Sequence, residues 1–374
     1  MITRRNVLRS LPVSAAAATA RAEPVRQFRI GYQKNGILVV ARQLRAIENR
    51  LRPLGVSVTW TEFSFGPPLL EALRLGSLDF GTVGDTPPIF AQAAHADLLY
   101  VAAVSSGSSS AAILLPTGSS LLTLADLKGK RVAFARGSAA HNLTVAALEK
   151  AGLTLSDIQP IQLAPADAAA AFTRGSVDAW TIWDPYYAIA EVQPGVRTLA
   201  KSSDITPQNS FYLSSRAYAQ ANASVIEAVI DELAKVASWS NAHRGEVAQL
   251  LADGTGVPLD AMQRAVARST YVIGPMTGEI VRQQQQVADR FQRLGLIPTH
   301  VDIADITWRP TARHRHEVPR CSHDAPCLPA SRWPASSATS RTPLPRRARQ
   351  CGSASRRVSR SCSLQSRTAA WKRC

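Results

Sequence analysis

Cysteine is missing from the first 320 residues; all five stand at 321, 327, 351, 362 and 374. A body of about 280 residues can bury a core large enough to stand without disulfides. No run of 18 apolar residues occurs, so no segment predicts a bilayer-spanning helix. Several catalytic signatures are absent as well. There is no G-x-S-x-G, no G-x-G-x-x-G and no H-E-x-x-H, and Gly129-Lys130 is followed by Arg131, which leaves a P-loop incomplete. His314, His316, Cys321, His323 and Cys327 match no zinc spacing. No catalytic residue, metal or cofactor is expected.

The excess of basic charge, +16 overall, is confined to the ends. Residues 1–26 hold five Arg against one Glu, residues 311–374 hold fourteen Lys+Arg against two acids, and residues 27–310 hold 24 of each sign. A neutral body predicts no nucleic-acid partner. The start, "MITRRNVLRSLPVSAAAATARA", has a basic segment, a short apolar run and an Ala-x-Ala ending at Ala22. It reads as an export signal over residues 1–22, and Thr3-Arg4-Arg5-Asn6-Val7-Leu8-Arg9 resembles a twin-arginine signal; both the Sec and twin-arginine routes stay open. A periplasmic location follows. From 311 to 374 the chain loses all hydrophobic period, which fits a disordered basic tail and equally the product of a shifted reading frame.

Between those ends, strand-like and helix-like runs alternate, the pattern of an α/β protein. Period-two strands are predicted at "FRIGY" and "VSVTW", with a helix between them carrying Ile37, Val40, Ala41, Leu44, Ile47 and Leu51 on one stripe. Further strands are expected at "LDFGTV", "LLYVAAV", "AAILLP", "RVAFA", "IQPIQL", "VDAWTI" and "SFYLSS", enough for two doubly wound halves. After residue 215 only helices are expected, one on the stripe Val225 to Ala237 and one from Glu279 to Leu294, whose glutamines 283–286 read as a solvated face.

Four stretches carry chemistry. In "ARGSAAHNL", Gly137 makes a turn and Ser138 caps a helix, leaving the amides of Ala139, Ala140 and His141 free to meet an oxyanion, with hydrogen bonds from Ser138 and His141 and charge from Arg136. A plain capped helix with a packed or exposed histidine is the alternative. In "TVGDTPPI", Asp85 or Thr86 caps, Pro87 takes the first helical position, and Gly84 permits close approach; Asp85 would repel an anion and suits orienting a neighbour or meeting a cation. In "VDAWTIWDPYY", Asp184 caps and Pro185 starts a helix, placing Trp183 at the ligand edge of a sheet while Trp180 can face the core. "GYQKNGIL" puts Gln33 and Lys34 at the end of the first strand, where Lys34 either faces a cleft or solvent. Ser138 and His141, three apart on a helix start, suit cap and ligand donor better than nucleophile and base.

Taken in order, "GYQKNGILVV", "FGPPLLEALRLGSLDFGTVGDTPPIFAQAAHADLLYVA", "DLKGKRVAFARGSAAHNL", "PADAAAAFTRGSVDAWTIWDPYYA" and "FYLSSRAYAQ" resemble the periplasmic aliphatic-sulfonate-binding proteins of ABC importers over roughly residues 27–310. The resemblance implies a two-lobe type II periplasmic-binding-protein fold with a central ligand cleft: lobe I over 23–113 and 213–310, lobe II over 114–212, with crossings near Ile113 and Tyr212. It also implies a sulfonate held around Ser138, Ala139, Ala140, His141 and Asn142, with help from Gln33, Lys34, Gly84, Asp85, Thr86, Trp183 and Asp184. A monomeric, non-enzymatic receptor that delivers an alkanesulfonate to a permease for sulfur acquisition is the expected function. Relatives that bind taurine, nitrate or a thiamin-precursor pyrimidine, and an enzyme on the same scaffold, are the alternatives. The family often has serines where this chain has Ala139 and Ala140, and it has no counterpart to the tail.

Overall fold

The computed structural model describes residues 26–105 and 109–309. The export signal at 1–22 and the basic tail at 311–374 lie outside them. The described residues belong to one compact unit, and everything below concerns them.

The chain begins β1 (Arg26–Tyr32), α1 (Ile37–Gln43), α2 (Ala46–Leu51), β2 (Val56–Glu62), α3 (Gly66–Arg74), β3 (Phe80–Gly84), α4 (Thr86–Ala93) and β4 (Leu98–Ser105). It then enters a second group: β5 (Ala111–Leu115), β6 (Arg131–Phe134), α5 (Ala139–Lys150), β7 (Gln159–Gln162), α6 (Pro165–Thr173), β8 (Ala179–Trp183), α7 (Tyr186–Glu191) and β9 (Arg197–Lys201). The last stretch is β10 (Ser210–Ser215), α8 (Arg216–Ala221), α9 (Ala223–Ala242), α10 (Arg244–Thr255), α11 (Leu259–Ala267), β11 (Val272–Gly274) and α12 (Gly278–Arg293). The result is the α/β two-lobe fold: one sheet in the order β11-β4-β10-β3-β1-β2, the other in the order β7-β6-β8-β5-β9. No helix among the described residues is long and apolar enough to cross a membrane.

The two sheets share a plan. In each, two strands flank a third in parallel, β2 and β3 around β1, β7 and β8 around β6, and a strand from a crossing then inserts antiparallel, β10 in one and β5 in the other. The likeness reaches the sequence. Residues 76–85 and 175–184 carry one skeleton, Gly-Ser-x-Asp-x-x-Thr-x-x-Asp, ahead of and through β3 and β8. Its first aspartate anchors the sheet in both lobes, because Asp79 accepts from the backbone and guanidinium of Arg29 and Asp178 does the same for Arg131. Charge-assisted pairing with two parallel bonds fixes position as well as attraction.

Parallel strands covered on both faces become apolar on both faces. β8 does so: Trp180 and Ile182 pack with Ala133 and Phe172 on one side, while Ala179 joins Val132, Phe134, Ala140 and Leu148 on the other. The larger lobe is a single cluster in which Phe28, Ile30 and Phe80 sit beneath the late helices.

Two expectations need correction. The first predicted helix is two, since Arg45 takes left-handed backbone (φ 52°) and Leu44 is 40% exposed; the break lets α1 lie on α9 and α10 while α2 lies on β2 and α9. Strands do not stop at residue 215, because the short β11 adds an edge beside β4; and before that point an unpredicted strand, β9, adds an edge beside β5. Edge strands of three and five residues carry too little alternation to read. The chain enters the second sheet at β5, which pairs with β8 from Ala111, and returns to the first at β10, which pairs with β3 from Ser210.

Candidate ligand-binding cleft

A cavity opens where the two sheets' strand ends meet, as open α/β sheets dictate. One side is the first sheet: Gln33, Asn35 and Gly36 after β1, Gly84 after β3, and Ser105 at the end of β4. The facing side is Ser138 and Ala139 at the start of α5, Trp183 at the end of β8, and Asp184 and Pro185 just after it. Gln208 to Ser210 line it from the return crossing, and Leu251, Met262, Val266 and Tyr271 add a largely apolar end from α10, α11 and β11. Among the described residues, no Lys, Arg or His lines this cavity, and Asp184 is its single carboxylate.

The α5 turn is as bare as its sequence. Gly137 takes left-handed backbone (φ 70°), as the turn out of β6 requires. Ser138 occupies the cap position but does not cap; its hydroxyl donates to the Ala135 carbonyl at 2.7 Å. The His141 amide is also taken, by the Ser138 carbonyl at 2.9 Å, which leaves the amides of Ala139 and Ala140 as the open donors of this turn. Ala140 is fully buried with its methyl in the second lobe's core, so Ala139 alone of the pair reaches the cavity. Opposite it stands Gly84. A Cβ at that position would lie 2.9 Å from the Ala139 Cβ, so glycine is what allows the two turns to touch.

The histidine belongs to the core. His141 is 2% exposed, stacks on Phe134 at 4.9 Å, meets Phe291 edge-on at 5.0 Å and lies near Phe90. Its Nδ1 accepts from the Gly137 amide, its Nε2 has no partner, and burial followed by the Arg136 charge pushes its pKa down to about 4. The sequence expectation set this ring among the ligand donors; in the structure it is packed by three phenylalanines and does not line the cavity.

Asp85, Thr86 and Asn142 also lie off the cavity lining. The buried Asp85 carboxylate accepts from Thr86 Oγ1 at 2.8 Å and from Asn142 Nδ2 at 2.7 Å, and desolvation pushes its pKa up to about 6. Asn142 passes the link on by accepting from Arg290, whose Nε bonds Glu149. Asp85 carries backbone in the helical region with no side-chain cap, so neither it nor Thr86 plays the capping part expected, and Pro87 is the second helical residue. The glutamine run is not wholly solvated either: Gln284 is 2% exposed and donates to the Asp85 carbonyl and Tyr100 Oη. Lys34 does not line the cavity.

After β8, Pro185 is the cap residue of α7 and Asp184 Oδ1 accepts from the Ala188 amide at 3.1 Å. Burial pushes the Asp184 carboxyl up to about 7, with Arg268 pulling the other way. Trp183 is half-buried, lines the cavity and packs against both core clusters of the second sheet, whereas Trp180 is 1% exposed and in the core.

Of the twelve residues expected at the site, six line the cavity: Gln33, Gly84, Ser138, Ala139, Trp183 and Asp184. Asn35 and Gln208 were missed. Each commits one amide hydrogen to backbone, Asn35 to the Asp184 carbonyl at 3.0 Å and Gln208 to the Ala139 carbonyl at 2.9 Å, as Gln33 does to the Thr82 carbonyl at 3.1 Å. A primary amide has a second hydrogen, so these three are oriented donors with capacity left for an acceptor in the cleft. Nothing local in the sequence flags Gln208, whose role depends on the return crossing; Asn35 lies one residue beyond Lys34 in a stretch already suspected.

This geometry has relatives. The family model described as NMT1/THI5 like matches residues 55–246. An Escherichia coli protein named for binding aliphatic sulfonates is 44% identical over 303 residues, which cover 80% of this chain and 94% of the relative. The crystal structure of the periplasmic aliphatic sulphonate binding protein SsuA from Escherichia coli superposes with a TM-score of 0.71 at 42% identity, over 78% of this chain and 94% of that one. The alkanesulfonate-binding protein SsuA from Xanthomonas axonopodis pv. citri, bound to MOPS, does so with a TM-score of 0.72 at 43% identity, over 77% of this chain and 99% of that one.

Proposed function

The chain belongs to the periplasmic aliphatic-sulfonate-binding proteins, and from that premise we propose that it captures an aliphatic sulfonate between its lobes and delivers it to the permease of an ABC importer, for sulfur acquisition. It is a receptor and not an enzyme. The observation that carries the ligand assignment is a cleft with oriented neutral donors and no lining cation among the described residues. A sulfonate stays ionised at every physiological pH, so it can be held by amides and a helix start with no titrating partner. We place its oxygens near the Ala139 amide and the second amide hydrogens of Gln33, Asn35 and Gln208.

Trp183 and the apolar end at Leu251, Met262 and Val266 then receive the organic part. Nitrate or sulfate would leave that end unfilled, whereas MOPS, bound by the Xanthomonas relative, is an organic sulfonate. A thermal-shift panel of alkanesulfonates, MOPS, taurine, nitrate and sulfate tests the assignment, because a ligand that binds only the folded state raises stability by mass action. Alkanesulfonates should give the largest rise. A rise with nitrate alone, or with none of the panel, removes the proposal.

The protein works in the periplasm as a monomer, with residues 1–22 removed on export. Within the folded unit, the first sheet and late helices act as lobe I and the second sheet as lobe II, closing on the ligand by differential affinity for the closed form. If the twin-arginine route is used, Arg4→Lys with Arg5→Lys leaves the precursor in the cytoplasm; continued export points to Sec.

A further inference from the structure

The two copies of the Gly-Ser-x-Asp-x-x-Thr-x-x-Asp skeleton end in aspartates that each reach across to the other lobe, Asp85 to Asn142 on α5 and Asp184 to Arg268 just beyond α11. The second link is charged and more extensive. Arg268 Nε donates to Asp184 Oδ2 at 2.9 Å, its NH1 donates to Glu191 Oε2 at 3.0 Å and its NH2 to Glu191 Oε1 at 2.5 Å. The guanidinium carbon lies 4.0 Å from the centroid of the Tyr187 ring. All three partners sit on residues 184–191 of lobe II, while Arg268 belongs to lobe I.

We infer that Arg268 is the latch of the cleft, a positioning residue that holds the α11 wall against the β8–α7 turn and so sets how long a ligand stays enclosed. This rests on the sulfonate-receptor reading only for the choice of probe. Three observations carry it. First, both sides of the link are cavity walls: Asp184 itself lines the cleft, as do Met262 and Ala265 before Arg268 and Ser269 to Tyr271 after it. The Asp85–Asn142 link lacks this property, since neither residue faces the cavity. Second, the guanidinium is answered by two carboxylates and does not line the cavity, so it is placed to join the lobes and not to neutralise a bound anion. Third, the Arg268 and Glu191 side chains keep about a fifth of their surface exposed (19% and 20%). Opening returns these charges to water, where each is well hydrated, so the link can break and re-form. Losing one partner of such a pair acts mainly on the dissociation rate.

The test compares full-length wild type with Arg268→Gln and, should that variant fail to fold, with Glu191→Gln, which removes the second carboxylate and leaves the Asp184 pair. Two quantities are measured: amide hydrogen exchange without ligand, and the rate of MOPS release followed by tryptophan fluorescence. The latch predicts faster exchange in α7 and in residues 259–271 with β1 and β6 unchanged, and release about tenfold faster for Arg268→Gln, less for Glu191→Gln. Arg268→Lys, which keeps the charge but not the fork, should fall between wild type and Arg268→Gln. Wild-type exchange at α7 and α11, or acceleration spread evenly over both lobes, overturns the inference. A wild type that binds no MOPS counts against the sulfonate reading alone, because the exchange experiment needs no ligand.

Discussion

Two stretches with one skeleton, residues 76–85 and 175–184, meet the cleft with different endings. The first ends Gly84-Asp85, a glycine against Ala139 and a buried carboxylate held by neutral partners. The second ends Trp183-Asp184, an indole on the cavity wall and a carboxylate paired with a guanidinium. The shared part, Asp79 with Arg29 and Asp178 with Arg131, builds the same sheet anchor twice. The difference lies in the last two residues. A small residue with a neutral link makes a tight seam, and a large residue with a charged link makes the wall that the proposed latch holds.

The largest predicted effect lies beside the neutral seam. His141→Ala should empty the space between Phe90, Phe134 and Phe291 and lower stability by about 3 kcal/mol, seen as a lower urea midpoint with an unchanged m value. A loss of ligand affinity with full stability would instead return the histidine to the ligand site.

Next comes Asp85, through pH. Its folded-state pKa, about 6, is above the ordinary 3.8, so its contribution is fully present below pH 3.8 and is lost as pH rises through about 6. Wild type should therefore lose, from this group, about 2 kcal/mol over that window, and Asp85→Asn should remove the loss. His141 runs the other way: with its pKa lowered from 6.5 to about 4, its contribution is present above 6.5 and lost as pH falls through 4. Chemical unfolding of wild type and Asp85→Asn from pH 4 to 7 separates the two, and identical pH profiles would show that Asp85 does not titrate as described.

Gly84→Ala gives the first turn a methyl that the Ala139 methyl opposes, and it should weaken sulfonate binding about tenfold, in the range that overpacking costs. Ala139→Gly in the same chain should restore much of the affinity; failure of that rescue would mean the two turns do not limit each other. The smallest effect is expected at the second ending. Trp183→Ala should weaken binding about fivefold with little change in melting temperature, because only part of the indole contributes to the core. A large drop in melting temperature would make Trp183 a core residue like Trp180.

The sequence went far toward the architecture because apolar runs or periods mark most of β1 to β8, with β10, α9 and α12; β7, with a single apolar Ile161 beside its proline, is the weakest of them. It missed β9 and β11, which are short edges with weak alternation, and the break at Arg45, which depends on how α1 and α2 lie on different neighbours. At the cleft, local chemistry found turns but not directions. Ser138, Asp85 and His141 all look like donors or caps in a string of letters. Their roles were decided by non-local packing: a carbonyl behind Ser138, Asn142 opposite Asp85, and three phenylalanines around His141. The internal repeat is present in the letters, but its meaning depends on β3 and β8 occupying equivalent places in their sheets. Arg268 had no motif at all, since its partners lie about 80 residues away on the other lobe.

The measurement that bears most directly on how this cleft works is calorimetric titration of the full chain with pentane-1-sulfonate at low and at high salt, about 20 mM and about 300 mM sodium chloride. Neutral donors and a helix start holding the sulfonate predict saturable one-to-one binding whose Kd changes less than about threefold between the two. No binding heat, or a steep loss of affinity with salt, would contradict an anion held without a cationic partner.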